Sequence, residues 1–439
     1  MSSIRIDRFA ADGSTLECAV RATPDLERFF TGEPFTATYD VSIEDVPEGV
    51  LAIPVLAHVC PVAWANGADV YVDEIDAGFA RALEDVKASL LSMHDFLEGG
   101  TLYAKETIDA DPGAGGESGL LFTGGVDSTA SYVRHREEGP ILISVRGWTI
   151  SPGPADDENW RHLRSRVSAF AQERGVATSF VESNMLSFLD HPMLLAHYKR
   201  FVDGAWYSSV GHGLGLLGLC APMAHARGIE DLYVAATHWD GIDLEWGSRP
   251  DIDDYVRWTG TDCHHDGYEL TRQERLDLIA DYVGEEVPDL RLQTCNARMD
   301  GNCGVCEKCC RTAVGLRLSG LDPAAHGYPF SEDDYEDDYE DIRRSLESGE
   351  WILGQDERYM WEDIRDRVRE TDPESPAEAL FFEWLEGADL DRLVSASGSP
   401  LHHRVIRAGA RNTPDPVYKT MYPAYDAAKS GLRRIRTGK

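Results

Sequence analysis

From about residue 117 onward, short apolar runs alternate with helical patterns, and this alternation constrains the fold more than any other feature. The runs LLF (120–122), ILISV (141–145) and LYVAAT (232–237) are typical of buried strands, and helices are expected from Asp127 and over 158–174. Strand–helix–strand units connect parallel strands through right-handed crossovers. The sequence therefore predicts an α/β fold built on a doubly wound parallel sheet.

Three regions are expected along the chain. Residues 1–115 combine β-like runs, among them VLAIPVLAHV (50–59), with one clear helix, and they predict an N-terminal α+β domain that ends in the linker-like segment 109–119. Residues 116–320 form the predicted sheet domain, in which Thr271 and Glu274 have the spacing of a capping box at a helix start. Residues 321–439 predict a mainly helical C-terminal region.

The charge of the chain is strongly negative. Asp and Glu number 77 against 42 Lys and Arg, which gives a formal net charge of -35. The acids are spread along the whole chain, and such a surface is typical of proteins kept soluble in concentrated salt, where screening removes self-repulsion. We therefore expect a halophilic, cytoplasmic protein. A negative charge that reflects salt adaptation does not exclude a nucleic-acid partner. The longest apolar run (214–224) is too short for a membrane span and predicts a buried helix.

A glycine loop joins the first predicted strand of the sheet domain to its helix. In an open parallel sheet, such a loop lies beyond the carboxyl end of the strand, where ligands bind. Gly124 and Gly125 allow the backbone to approach an anion, and Ser128 adds a hydroxyl in the first helical turn. Asp127 would repel a phosphate unless a metal ion lies between them. A simple turn is the alternative, but the order of strand, loop and helix favours a phosphate site.

The stretch FTGGVDST resembles the S-G-G-x-D-S signature of the PP-loop, or N-type, ATP pyrophosphatase superfamily, with Thr123 in place of the first serine. The resemblance implies an adenine nucleotide alpha hydrolase-like fold, ATP and Mg²⁺ as cofactors, and cleavage of ATP with release of pyrophosphate. It also implies catalytic roles for Asp127 and Ser128. The implied nucleotide-binding residues are Phe122, Thr123, Gly124, Gly125, Val126, Asp127, Ser128 and Thr129.

Five cysteines crowd into one short segment, CNARMDGNCGVCEKCC (295–310). Their C-x7-C-x2-C-x2-C spacing predicts a closed, structural four-thiolate zinc site. The predicted ligands are Cys295, Cys303, Cys306 and Cys309. The spacing leaves open an iron–sulfur cluster in place of zinc, and Cys310 in place of Cys309.

The glycine loop and the cysteine cluster together resemble the 7-cyano-7-deazaguanine synthase family and its uncharacterised paralogues, over roughly residues 117–320. The resemblance implies an ATP-dependent carbon–nitrogen ligase that adenylates a carboxylate or carbonyl group and transfers nitrogen to it. The substrate-side stretches VGHGLGL and WGSRPDIDDYVRW depart from the family pattern, so a different, unidentified small-molecule substrate is expected. Arg249 is the predicted clamp for its carboxylate. An ammonia donor and a homodimer are compatible with this interpretation.

Two alternative functions stay open at this level. A PP-loop tRNA sulfur transferase would need Cys263 or Cys310 to be free and exposed. A non-catalytic partner protein would bind ATP without cleaving it. Weaker site candidates are four histidines, two arginines and the basic C-terminal segment, namely His212, His238, His264, His265, Arg272, Arg311 and KSGLRRIRTGK (429–439).

Overall fold

The computed structural model describes residues 2–398 apart from 114, 203, 331–334 and 352, and also residues 413, 414, 417, 420, 421 and 424. Its strands are β1 (Ser3–Asp12), β2 (Thr15–Ala22), β3 (Phe35–Tyr39), β4 (Asp69–Asp76), β5 (Leu102–Ile108), β6 (Glu117–Leu121), β7 (Ile141–Arg146), β8 (Thr178–Ser183), β9 (Ile229–Ala235), β10 (Arg257–Trp258) and β11 (Thr261–Asp266).

The helices of the first 285 residues are α1 (Glu48–Leu51), α2 (Ile53–Trp64), α3 (Ala77–Met93), α4 (Val126–His135), α5 (Asp157–Arg174), α6 (His191–Tyr198), α7 (His212–Leu219), α8 (Ala221–Arg227), α9 (Pro250–Asp253) and α10 (Arg272–Glu285). The later helices are α11 (Glu307–Leu318), α12 (Tyr335–Ser348), α13 (Gln355–Val368), α14 (Pro376–Gly387) and α15 (Leu390–Gly398). A π-helical turn, Tyr207–Gly211, leads into α7.

The strands form one mixed, mostly parallel sheet of eleven strands in the order β10-β11-β9-β6-β7-β8-β3-β2-β1-β4-β5. Its middle section, β11-β9-β6-β7-β8, is parallel throughout. From β6 the chain proceeds outward through β7 to β8, and it then returns to the other side of β6 to form β9 and β11. The chain is therefore an α/β protein, and this strand order is compatible with a doubly wound sheet.

Both faces of the middle section are buried. Alternate residues point to opposite sides of a strand, so Leu121 and Ile143 join one apolar cluster with α2, α3, α7 and α8. Leu120 and Leu142 join a second cluster with α4, α5, α10 and α11. Burial on both faces explains why these strands read as continuous apolar runs in the sequence.

The N-terminal region extends the same sheet. Strand β3 pairs antiparallel with β8, so the strands before and after the predicted boundary at 115 belong to one sheet. The expectation of a strand at 50–59 is wrong, because this stretch forms the end of α1 and the first half of α2. Every residue of α2 is buried, and in a run that is apolar on all sides the hydrophobic period does not separate helix from strand.

The C-terminal region is helical over its described part, which ends with α15. The basic segment 429–439 lies outside the described residues. The predicted capping box at Thr271 is confirmed at the start of α10. Within the described residues, no helix combines the length and the apolar character that crossing a bilayer requires.

Candidate functional site

The glycine loop lies where the connections of the sheet diverge. It follows β6, whose two neighbours, β7 and β9, are reached by connections on opposite faces of the sheet. At such a point the loops after adjacent strands separate and leave a crevice beyond their carboxyl ends, which is where open α/β sheets bind ligands. The residues after β9, from Ala236 to His238, lie at the same edge as Thr123–Gly125.

The loop presents free backbone N–H groups. Gly124 has a positive φ of 78°, which favours glycine, and Gly125 is the N-cap of α4 in an extended conformation. Among the described residues, no hydrogen-bond partner is found for the N–H groups of Gly124 and Gly125. The first turn of α4 adds further N–H groups without intrahelical partners. Together with the positive end of the helix dipole, they suit an anion such as phosphate.

The other predicted loop residues have different surroundings. Phe122, Val126 and Thr129 are buried and pack inside the protein, whereas the side chain of Thr123 is exposed. The Ser128 hydroxyl donates to the Gly125 carbonyl at 3.4 Å and accepts from the Thr123 N–H at 3.4 Å. Of the eight predicted residues, only Thr123, Gly125 and Asp127 are not buried.

Asp127 is held by two arginines of α10. Its Oδ1 accepts hydrogen bonds from Nη1 of Arg272 and, at 2.8 Å, from Nη1 of Arg275. The Asp127 side chain is 23% exposed, and those of Arg272 and Arg275 are 8% and 2% exposed. Burial alone would raise the pKa of Asp127, but the two guanidinium charges lower it to about 2. Asp127 is therefore ionised, and two positive charges stand beside the glycine loop.

This ion cluster gives a pH-dependent contribution to stability. The pKa of Asp127 is lowered from an ordinary 3.8 to about 2 in the folded protein, so its ionised form stabilises the fold by about 2 kcal/mol above pH 4. That contribution is lost as the pH falls towards 2. We expect Asp127→Asn to be less stable than the wild type at pH 7, with a difference that shrinks steadily below pH 4. Chemical denaturation from pH 7 to pH 2 checks this, and a difference independent of pH would contradict it.

Helix α11 brings further cations to the same place. The charges of Arg272, Asp127 and Arg311 all act on Lys308, and burial together with the nearby arginines lowers the pKa of this lysine. Arg311 is 6% exposed and its Nε donates to Glu307 Oε1 at 2.6 Å. Its Nη1 is buried without a partner among the described residues. Four cations, Arg272, Arg275, Lys308 and Arg311, thus stand against two carboxylates, Asp127 and Glu307, and the carboxylates of Asp356 and Glu357 also act on Arg311.

Sequence reasoning identified only part of this cluster. Arg272 and Arg311 are among the weaker site candidates of the sequence, and the structure brings Arg272 to Asp127. Arg275 and Lys308 were missed. Arg275 stands three residues after Arg272 and therefore on the same helix face, which is the signal that identifies it; Lys308 was overlooked among the cysteines.

The four predicted cysteines form one cluster. Their sulfur atoms all lie within 4.8 Å of one another, and four thiolates at this separation fit a tetrahedral metal ion such as zinc. The backbone N–H of Cys306 donates to Cys303 Sγ at 3.3 Å, which stabilises a thiolate there. Asn302 was not predicted, and it supports the cluster by accepting from the N–H groups of Thr294 and Cys295 at 3.0 and 3.2 Å. The four residues that could hold a metal ion are therefore the predicted ones, Cys295, Cys303, Cys306 and Cys309.

The remaining candidate cysteines, Cys310 and Cys263, are buried and do not belong to the group of four. Cys310 Sγ donates to the Gly304 carbonyl at 3.2 Å, so Cys309 rather than Cys310 completes the four. Burial raises the pKa values of Cys310 and Cys263. Neither is the free, exposed thiol that the sulfur-transfer alternative requires.

Arg249, His212 and His238 are the next predicted candidates, and the His238 carbonyl accepts a hydrogen bond from Arg275 Nη2 at 2.8 Å. Arg249 caps α9 and is occupied by Asp251, at 3.0 Å, and by the Leu244 carbonyl, at 3.1 Å. Among the described residues it makes no hydrogen bond or ion pair with the glycine loop, and its role as a carboxylate clamp stays a prediction. His212 and His238 are buried, and each packs its ring against Trp246. Burial lowers their pKa values to about 3 and about 4, so both are neutral.

The other predicted histidines are each hydrogen-bonded to a carboxylate. His265 Nδ1 lies 2.7 Å from the buried Asp253, and His264 Nε2 lies 2.6 Å from Asp231 at the sheet surface.

Comparisons with family models, with curated proteins and with solved structures each find no match to this chain. The assignment of this site therefore depends on its own geometry and chemistry.

Proposed function

We propose that the chain is a PP-loop enzyme that binds ATP on residues 123–128, cleaves it between the α and β phosphates and adenylates a small-molecule substrate. In this proposal the sheet is doubly wound and of the adenine nucleotide alpha hydrolase-like type. The observation that supports it most is the position of the free N–H groups of Gly124 and Gly125, beside Arg272 and Arg275, at the point where the sheet connections diverge.

In this proposal the backbone N–H groups and the cationic side chains of the site have different roles. The N–H groups of the loop hold the β and γ phosphates, and Arg272, Arg275 and Lys308 stabilise the negative charge that builds up on the departing pyrophosphate. Arg272 and Arg275 both donate hydrogen bonds to Asp127 Oδ1, and no described residue donates a hydrogen bond to Oδ2. That oxygen and the phosphates would hold Mg²⁺, which supplies additional charge neutralisation when bound.

The acceptor is a carboxylate or carbonyl oxygen, which attacks the α phosphate and becomes an acyl or imidoyl adenylate. A nitrogen nucleophile such as ammonia then displaces AMP. The four-cysteine site has no open position for substrate and serves as a structural metal centre, for which zinc is the proposed ion. Residues after β9 lie at the same sheet edge as the loop, and the proposal places the acceptor beside them.

The products of ATP cleavage test this proposal. The protein is incubated with ATP, Mg²⁺ and a small-molecule extract at high salt, and the nucleotides are separated. We expect AMP and pyrophosphate in equal amounts, dependent on the extract, and at least about 100-fold less with Asp127→Ala, which leaves the arginines unpaired. Formation of ADP and phosphate would contradict the proposal. If the protein binds ATP but does not cleave it with any acceptor tested, the non-catalytic alternative is favoured.

A further inference from the structure

Gln293 connects the cysteine cluster to the glycine loop. Its backbone N–H donates to the Gly124 carbonyl at 2.8 Å. Its side-chain amide donates to the carbonyls of Arg298, at 2.9 Å, and Gly301, at 3.1 Å, which lie in the turn between Cys295 and Cys303. A single residue thus holds both the glycine loop and the turn that carries the metal ligands.

Arg166 of α5 makes a second, independent connection. Its Nη1 donates to the Met299 carbonyl at 2.9 Å, again within the cysteine turn, and its Nη2 donates to the Thr123 carbonyl at 3.2 Å. Gly124 lies against this guanidinium, since a Cβ at that position would stand 3.4 Å from Arg166 Nε. Burial lowers the pKa of Arg166 to about 10, so it remains charged near neutral pH.

The two connections determine where the phosphate-binding N–H groups point. In a trans peptide the carbonyl and the following N–H are coplanar and point in opposite directions, and no described peptide bond here is cis. Holding the Thr123 carbonyl therefore directs the N–H of Gly124 away from the cysteine turn. Holding the Gly124 carbonyl does the same for the N–H of Gly125. Without these anchors, a Gly-Gly segment rotates freely and the two donors are not preorganised.

We propose that the four-cysteine metal site positions the glycine loop. Arg166 and Gln293 are the residues through which the ordered cysteine turn holds the glycine loop in place. Metal binding folds residues 295–309, the folded turn presents the carbonyls that Arg166 and Gln293 hold, and the two residues fix the peptide planes of the glycine loop. Metal loading thus raises the affinity of the loop for the triphosphate. The identity of the ligand, ATP, rests on the proposed function, whereas the coupling between the metal site and the glycine loop does not.

Four variants, one of them a control, and one treatment test the coupling. Arg166→Ala removes the anchor of the Thr123 carbonyl, and Arg166→Lys keeps a cation able to bind one carbonyl. Gln293→Ala removes the amide that holds the cysteine turn. Arg298→Ala is the matched control, because Arg298 lies in the same turn but its side chain is 56% exposed and, among the described residues, is paired with Asp300 alone. Wild-type protein is also compared before and after removal of the metal by a chelator.

The measurements are metal content, the dissociation constant for ATP with Mg²⁺, and hydrogen exchange of the amides of residues 121–129. We expect Arg166→Ala and Gln293→Ala to keep the metal but to bind ATP about tenfold more weakly, with partial recovery in Arg166→Lys and no change in Arg298→Ala. Metal removal should weaken ATP binding at least as much and speed exchange in 121–129.

Two results would overturn the coupling: unchanged exchange in 121–129 after metal removal, or wild-type affinity for ATP in Arg166→Ala. A wild-type protein that does not bind ATP would instead refute the proposed function. In that case the exchange of residues 121–129 with and without metal still decides whether the cysteine site orders the loop.

Discussion

Replacing Gly125 with alanine is expected to weaken ATP binding by about 100-fold while the protein stays folded. The added Cβ meets no atom closer than 3.6 Å, and φ at this position is −81°, which alanine adopts readily. The cost to stability is therefore that of a poorer N-cap, about 1 kcal/mol or less. In the proposed complex, however, the methyl group, 3.6 Å from the Gln293 carbonyl oxygen and 3.7 Å from Thr123 Oγ1, would keep the phosphate from the N–H groups. Each such charge-assisted hydrogen bond contributes about 1.5–3 kcal/mol.

Gly124→Ala is the matched comparison for this prediction. Its positive φ and its contact with Arg166 make alanine unfavourable in the fold itself, so this variant should lose about 1–3 kcal/mol of unfolding free energy as well as ATP affinity. Titration calorimetry with ATP and Mg²⁺ and thermal unfolding, both in molar salt, separate the two effects. If Gly125→Ala binds ATP as the wild type does, the loop is only a turn between β6 and α4.

Replacing Cys309 with serine is expected to abolish metal binding, whereas replacing its neighbour Cys310 leaves the metal in place. Cys309 Sγ belongs to the group of four sulfurs within 4.8 Å, and a serine hydroxyl is a far poorer ligand for zinc than a thiolate. Cys310 Sγ only donates to a carbonyl, which serine also does. A structural zinc ion contributes an apparent 10–16 kcal/mol to folding in small domains, so Cys309→Ser should also lower the melting temperature strongly.

Elemental analysis of the purified variants, together with thermal unfolding, measures both outcomes. Cys310→Ser controls for the loss of any cysteine from α11, because the two residues are adjacent in the same helix. Equal metal content in Cys309→Ser and Cys310→Ser would show that the cluster does not bind the ion as the geometry indicates. Iron and sulfide in place of zinc would change the identity of the metal but not the ligand set.

The sheet was predictable wherever burial on both faces produced continuous apolar runs between helices, as in β6, β7 and β9. Local hydrogen bonding made the start of α10 predictable as well, since a capping box involves residues three apart. The stretch 50–59 was not, because a helix buried on all sides has no amphipathic period. The pairing of β3 with β8 was also beyond the sequence, because it joins residues about 140 positions apart.

The site was predictable to the extent that its residues are close together in sequence. The glycine loop and the four cysteines are each contained in one short segment, so their spacing indicates their chemistry. Arg275, Lys308, Arg166 and Gln293 come to the loop from three separate helices and one turn, and only the fold brings them there. Arg249 illustrates the converse, because it lies near the carboxyl edge of the sheet but makes no hydrogen bond or ion pair with the glycine loop among the described residues.

The most direct test of the central claim is an experimental structure of the metal-loaded protein with a non-hydrolysable ATP analogue and Mg²⁺. We predict that the oxygens of the β and γ phosphates lie within hydrogen-bonding distance, about 2.7–3.2 Å, of the N–H groups of Gly124, Gly125 and the first turn of α4. Arg272 or Arg275 should contact the same phosphates. A nucleotide bound elsewhere, with the loop N–H groups facing only solvent, would contradict the account.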